Sequence, residues 1–257
     1  AQAWSFYVLS EIFVLISFYY VFKFASEILG DIKLGLISTL LLSSIYFYNF
    51  TTPEFNVNVC QLPFWSLVVY YSWKIYDSKE IKFLDCLLVG IFAAVGFLSK
   101  YLFIYLLISI DLLFIYLIFL KKKKFDFKYL IALEVFLVLL VPHFIWLYNN
   151  DFITIFYGLQ RSGLEENDIF NHIKYPLVFF LKQIGILFPF FFLIFLLTKK
   201  LKFKFNLKDK KFLFLVFVNL VPLVFMILTS AFLGSKIRTM WMTPFYLFFG
   251  VFLVYLL

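Results

Sequence analysis

The 257 residues are 64% hydrophobic and 24% aromatic but only 15% charged, with a formal net charge of +8. A water-soluble domain of this length needs far more polar surface, so composition excludes one and leaves an integral membrane protein. The surplus lysines lie in short clusters between apolar stretches, with no polar domain to carry a nucleic-acid surface, so nucleic acid is excluded as a partner.

In chain order the apolar stretches predict helical spans at 5–24, 34–50, 59–76, 84–98, 101–120, 129–148, 176–198, 212–233 and 240–257. Each is near the length of about 20 residues that crosses about 30 Å of hydrocarbon as a helix, and none shows the ten-residue alternation of a membrane barrel. The expected fold is therefore all-α: a polytopic membrane protein of about nine transmembrane helices, one domain over residues 1–257, with a single larger loop at 149–175. The chain opens at Ala1 with no Met, basic n-region or signal-peptide pattern, and it reads as a fragment that lacks at least one preceding span. Cys60 and Cys86 fall near opposite ends of consecutive spans, so no disulfide joins them. Two histidines 29 residues apart and no carboxylate cluster give no ligand spacing, and a divalent metal is not indicated.

Lysine and arginine in short loops set orientation. With Lys121–Lys124 placed in the cytoplasm, alternation puts 17 of the 23 basic residues inside and 6 outside: Lys100, Arg161, Lys174, Lys182, Lys236 and Arg238. The 149–175 loop then lies outside, and a long loop between tightly connected spans is more often functional than decorative.

Four stretches gather at that outer face. TTPEFNVN brings Glu54 and Asn58; GFLSKY brings Lys100 and Tyr101; the long loop brings Asn149 and Arg161, preceded by His143 and Trp146; GSKIRTMW brings Lys236, Arg238 and Trp241. A cation held at this interface suits a lipid phosphate, with arginine giving bidentate contacts and lysine a point charge. Each has a plainer reading beside it. Lys100 snorkels to the headgroups; Trp146 and Trp241 anchor an aromatic belt; His143 is a packed, hydrogen-bonded histidine; Arg161 pairs with Glu165 or Glu166 in solvent. Two acids lie inside spans. Glu11 is set to reach an outward-facing cavity, and Asp111 sits near mid-depth, where a carboxylate is either functional or bonded to a neighbouring hydroxyl.

Several of these stretches resemble one family in order and spacing. GIFAAVGFLSKYLFIYLL and VPHFIWLYNNDFITIFYGLQRSG are similar to segments of bacterial membrane glycosyltransferases related to the dolichyl-phosphate-mannose protein mannosyltransferases and the lipid A aminoarabinose transferases. TTPEFNVNVCQLPFW and KIRTMWMTPFYLFF resemble a short outer motif and a late element of the same family. The resemblance implies the GT-C architecture and inverting transfer of a sugar from a polyprenyl-phosphate donor to lipid A, a protein or another glycan, at the periplasmic face of a bacterial inner membrane. It implies Lys100, Arg161 and Arg238 as donor-phosphate ligands, and Glu54, Asn58, Tyr101, His143, Trp146, Asn149 and Glu11 as cavity-lining candidates. The family's catalytic aspartate belongs to a loop upstream of Ala1, so the fragment is expected to be inactive by itself. Two other classes stay open: a transporter or lipid flippase working through Asp111 and Glu11, and an O-antigen polymerase or ligase working through Arg161.

Overall fold

The computed structural model describes residues 3–163, 168–198 and 205–257. Every regular element among them is a helix. They run α1 (Ala3–Leu29), α2 (Ile32–Leu40), α3 (Phe47–Phe50), α4 (Val57–Cys60), α5 (Leu62–Asp77), α6 (Phe83–Ser99), α7 (Ile104–Ile115), α8 (Lys128–Asn149), α9 (Ile153–Arg161), α10 (Asn171–Thr198), α11 (Lys210–Asn219), α12 (Val221–Leu233) and α13 (Phe249–Leu256). Only helices satisfy every backbone group inside hydrocarbon without a closed sheet.

The expectation of nine spanning helices is corrected here. Among the described residues five helical stretches are long and apolar enough to cross a membrane: Trp4–Leu29, Tyr101–Leu120, Lys128–Asn149, Asn171–Thr198 and Lys210–Leu233. Thr239–Tyr246 and Phe249–Leu256 make a sixth only if counted together, across a bend of 54°. The reasons are local. The apolar run at 34–50 tightens into a 3-10 turn at Leu41–Ser44 and leaves the helix at Ile45, whose backbone is extended. The run at 59–76 divides at Gln61 into a four-residue and a sixteen-residue helix, with Pro63 in the first turn of the second. Around Pro244 the chain keeps 3-10 form over Thr239–Tyr246 before the bend. Hydropathy counts apolar residues and does not register such breaks.

The helices pack α1 against α2 and α5, α5 against α6, α6 along α8, α10 against α12, and α13 against α2. Between helices in lipid there is little hydrophobic drive, so close packing carries association. The centre is aromatic. Phe24 meets Phe248 edge-on at 5.1 Å, Trp73 meets Phe214 at 5.1 Å, and Trp65 lies 4.9 Å from Phe245 and 5.4 Å from Phe103, all fully buried or nearly so. Gly90 lets α6 touch α8, since a Cβ there would run into the Ala132 carbonyl and the Val135 side chain. The outward faces of α1, α8 and α10 expose Leu15, Val138, Ile145, Phe188 and Phe195, which suits acyl chains rather than water.

At the end away from the site described below, lysines do more than report topology. Lys211 donates to the Ile28 carbonyl at 2.7 Å in the last turn of α1, Lys128 to the Ile81 carbonyl at 2.8 Å, and Lys123 to the Tyr76 carbonyl at 3.4 Å near the end of α5. Lys210 pairs with Asp77. Terminal helix carbonyls lack intrahelical donors and carry partial negative charge, so an ammonium is a natural cap. Glu165 and Glu166, the expected partners of Arg161, and Lys199, Lys200, Lys202 and Lys204 lie outside the described residues.

Candidate functional site

The turn between α6 and the next span is where the site begins. Gly96 has no Cβ, and one placed there would collide with the Phe103 ring, so Phe103 folds back against α6 and the chain reverses within four residues. Lys100, at the apex, has extended backbone and caps α6 through its N–H to the Gly96 carbonyl at 3.2 Å. Its ammonium is thereby turned inward. It donates to Asn58 Oδ1 and stands 5.3 Å from the centre of the Trp241 ring. Asn58 is itself buried, fixed by the N-cap of α4, where Asn56 Oδ1 accepts from the Asn58 N–H at 2.9 Å.

These groups line a cavity of about 520 Å³. Its polar end holds Asn58, Lys100, Tyr101, Arg161 and Ser235, and its apolar wall is built from Leu102, Met226, Leu233, Ile237 and Met240. Tyr101 ties three elements together: its hydroxyl lies 2.8 Å from His143 Nε2 on α8 and 2.7 Å from Thr154 Oγ1 on α9. His143 in turn stacks on Trp146 with ring centres 6.0 Å apart. The helix α9 covers the cavity, presenting Thr154, Tyr157, Gly158 and Arg161 to it at helical spacing. Its entry is strained, because Asp151 and Phe152 both hold positive φ, 50° and 54°, a conformation that disfavours residues with a Cβ. Its far end is fastened by the Lys236 N–H donating to the Ser162 carbonyl at 2.8 Å.

The electrostatics favour an anion. Lys100 lies in the connection outside both neighbouring helices, and burial first, then the nearby Arg161 guanidinium, pull its pKa down from 10.5 to about 7. Two cations facing one partly dry space with no carboxylate among the lining residues repel each other until a negative group enters. Arg161 is steadied by donating to the Tyr157 hydroxyl at 2.6 Å, with its guanidinium 5.3 Å from that ring.

Of the residues singled out from sequence, Asn58, Lys100, Tyr101 and Arg161 meet in this cavity. His143 stands behind it, bonded to Tyr101. Glu54 lines an adjoining niche of about 230 Å³ that shares Asn58 and Met240 with the cavity. Arg238, Trp146, Asn149 and Glu11 are exposed and are not among the lining residues. Asp111 is also exposed on α7, away from the cavity wall. Three further lining residues carry no sequence motif of their own: Tyr105, whose hydroxyl donates to Thr229 Oγ1 at 2.9 Å within the wall, and Thr154 and Ser162 on the cover. Tyr105 follows Tyr101 by four residues, one helical turn, and that spacing is a readable signal.

The family model described as dolichyl-phosphate-mannose-protein mannosyltransferase matches residues 1–146. That stretch contains Asn58, Lys100, Tyr101 and His143, while Arg161 and Trp241 lie beyond it. No curated protein matches the chain, and no solved structure does.

Proposed function

Because the chain belongs to the dolichyl-phosphate-mannose-protein mannosyltransferase family, a family of membrane glycosyltransferases that draw on polyprenyl-phosphate-linked sugars, we propose that its cavity binds the phosphate of such a donor through Lys100 and Arg161. The observation that carries this reading is one cavity at the end of the spans that joins the inward-turned Lys100 and the exposed Arg161 at its edge to an apolar wall. A polyprenyl-phosphate sugar has that polarity: one negative group, a polar sugar on one side and a long apolar chain on the other. Asn58 and the Trp241 face hold the Lys100 ammonium in place, and Tyr101, braced by His143, fixes the cover helix over the sugar.

Inverting transfer makes a bond from an acceptor oxygen to the anomeric carbon as the bond to the donor phosphate breaks. The departing phosphate gathers charge, and preset cations stabilise that charge most where water is thin. Lys100 and Arg161 serve that half of the reaction. The other half needs a carboxylate to take the acceptor proton; Glu54, in the niche that shares Asn58 and Met240 with the cavity, is a candidate for it. The acceptor is lipid A, a protein or a glycan. The supports for a periplasmic active face in a bacterial inner membrane are the lysine asymmetry and the gathering of Lys123, Lys128, Lys210 and Lys211 at the end opposite the cavity.

Equilibrium binding of a radiolabelled polyprenyl-phosphate hexose to the purified chain tests the reading. Lys100→Gln is expected to weaken binding on the order of tenfold or more, as loss of a charged hydrogen-bonding group of roughly 1.5–3 kcal/mol does. Unchanged affinity in a folded Lys100→Gln protein would sink it.

A further inference from the structure

A second groove lies at the same end of the molecule and shares no lining residue with the cavity. It is a shallow, open groove of about 440 Å³ formed by Lys182, Gly185, Ile186 and Pro189 on one face of α10, together with Tyr46 and Thr239. The α10 residues are spaced i, i+3, i+4, i+7, so they make one stripe along about 10 Å of helix. Thr239 stands next to Met240 and Trp241 of the cavity wall, which fixes the groove at the cavity's end of the spans.

Lys182 is out of place on this stripe. It is exposed six residues past Pro176, about 9 Å beyond that proline, on the stretch of α10 between Pro176 and Pro189 where the one other polar side chain is the buried Gln183, and it is flanked by Leu181 at 56% and Ile184 at 50% exposure. Among the described residues the only ion pair is Lys210 with Asp77, so no carboxylate answers the Lys182 charge. A cation on a lipid-facing helix is costly unless its stem reaches the headgroup level and finds an anion. Beside it the hydroxyl-bearing Tyr46 and Thr239 supply donors, and the exposed Lys236 and Arg238 add positive field without a neighbouring acid in the groove. Below it Gly185 leaves the floor open, since a Cβ there would meet nothing within 4 Å. Charge above an open apolar channel is the outline of a phospholipid.

We propose that this groove holds one anionic phospholipid, its phosphate on Lys182, Tyr46 and Thr239 and an acyl chain laid along Gly185, Ile186 and Pro189. The site is independent of the donor reading, because no residue is common to the two. A net negative headgroup is favoured over a zwitterionic one, whose own ammonium neutralises its phosphate.

Native mass spectrometry of the detergent-purified chain, titrated with phosphatidylglycerol and separately with phosphatidylcholine of the same acyl chains, reads this directly. The chain is expected to retain one phosphatidylglycerol in preference to phosphatidylcholine. Lys182→Gln should weaken phosphatidylglycerol about fivefold and erase the preference, a change equivalent to about 1 kcal/mol for one lysine near the headgroups. Lys182→Arg should restore it, and Gly185→Leu, which fills the floor on an exposed helix face, should weaken both lipids. Lys100→Gln should leave the lipid bound. A preference that survives Lys182→Gln, indifference to Gly185→Leu, or loss of the lipid in Lys100→Gln overturns the proposal, the last by placing the lipid in the cavity.

Discussion

Lys100 concentrates most of what the chain can do with an anion, and its behaviour with pH follows from its surroundings. With its pKa drawn to about 7 by burial and by Arg161, the free site loses the lysine charge as pH rises through 7 to 9. A bound phosphate stabilises the charged form and raises that pKa, so proton uptake accompanies donor binding above pH 7. Donor affinity should therefore fall with increasing pH, by up to tenfold per unit between the free and bound pKa values. Lys100→Arg keeps its charge throughout and should flatten the profile even if its affinity at pH 7 differs, a contrast that binding isotherms at pH 6.5, 7.5 and 8.5 would show. A slope unaltered in Lys100→Arg would mean that another group titrates. The residue type and its helix-end position were readable in GFLSKY, but the direction of the side chain was not. An ammonium at a helix end snorkels outward unless something turns it in, and here the turning is done by Phe103 packing over Gly96 and by Asn58 arriving from 42 residues earlier.

At the scale of elements, the reversal at Lys100 and the cover helix α9 are what the cavity depends on. Gly96→Val should force Phe103 off α6 and cost on the order of 1–3 kcal/mol by overpacking, seen as a lower midpoint in thermal unfolding together with weakened donor binding. Tyr101→Phe removes both the bond to His143 and the bond to Thr154 while keeping the ring. It is expected to lose about 1–3 kcal/mol of cover docking, read as faster proteolysis within 150–163 and little change in global unfolding. Equal effects on the two readouts would argue that Tyr101 supports the whole bundle instead. The sequence marked 149–175 as a functional loop but did not show that its first part is a helix folded back onto the spans. Residues 153–161 carry apolar and polar side chains at helical spacing, a signal hidden by the polar stretch around them; the helix angle is set by the backbone at Asp151 and Phe152, a left-handed pair that Asp tolerates and the bulky Phe does not.

For the molecule as a whole, charge separates the two ends. Lysines cap helix termini at one end, and two cations enclose an anion-sized space at the other. In a Cys60→Ser, Cys86→Ser background, Ser162→Cys should react with a membrane-impermeant maleimide added to intact cells, whereas Lys124→Cys should react only after permeabilisation. The reverse pattern would turn the protein over and move the cavity to the cytoplasmic face. Both positions lie in connections between helices, so labelling reports side and not burial.

What the sequence by itself determined was the solvent and the chemistry on offer: a helical membrane protein, basic at one end, with Lys100, Tyr101 and Asn58 in motifs that resemble a glycosyltransferase family. The solvent and the basic end follow from composition and spacing, which act over a turn of helix or the thickness of a bilayer; the chemistry rests on the resemblance of the motifs. Only the tertiary structure decided which apolar runs are continuous, and it separated Arg161, which faces Lys100, from Arg238, which stays outside the cavity. Both outcomes rest on contacts between residues far apart in the chain, on 3-10 breaks and prolines that interrupt a helix, and on a cover helix pinned at Thr154 and Ser162. Hydrophobic periodicity carries no record of such pairings, because the partner is chosen by shape and hydrogen bonding after the helices have formed.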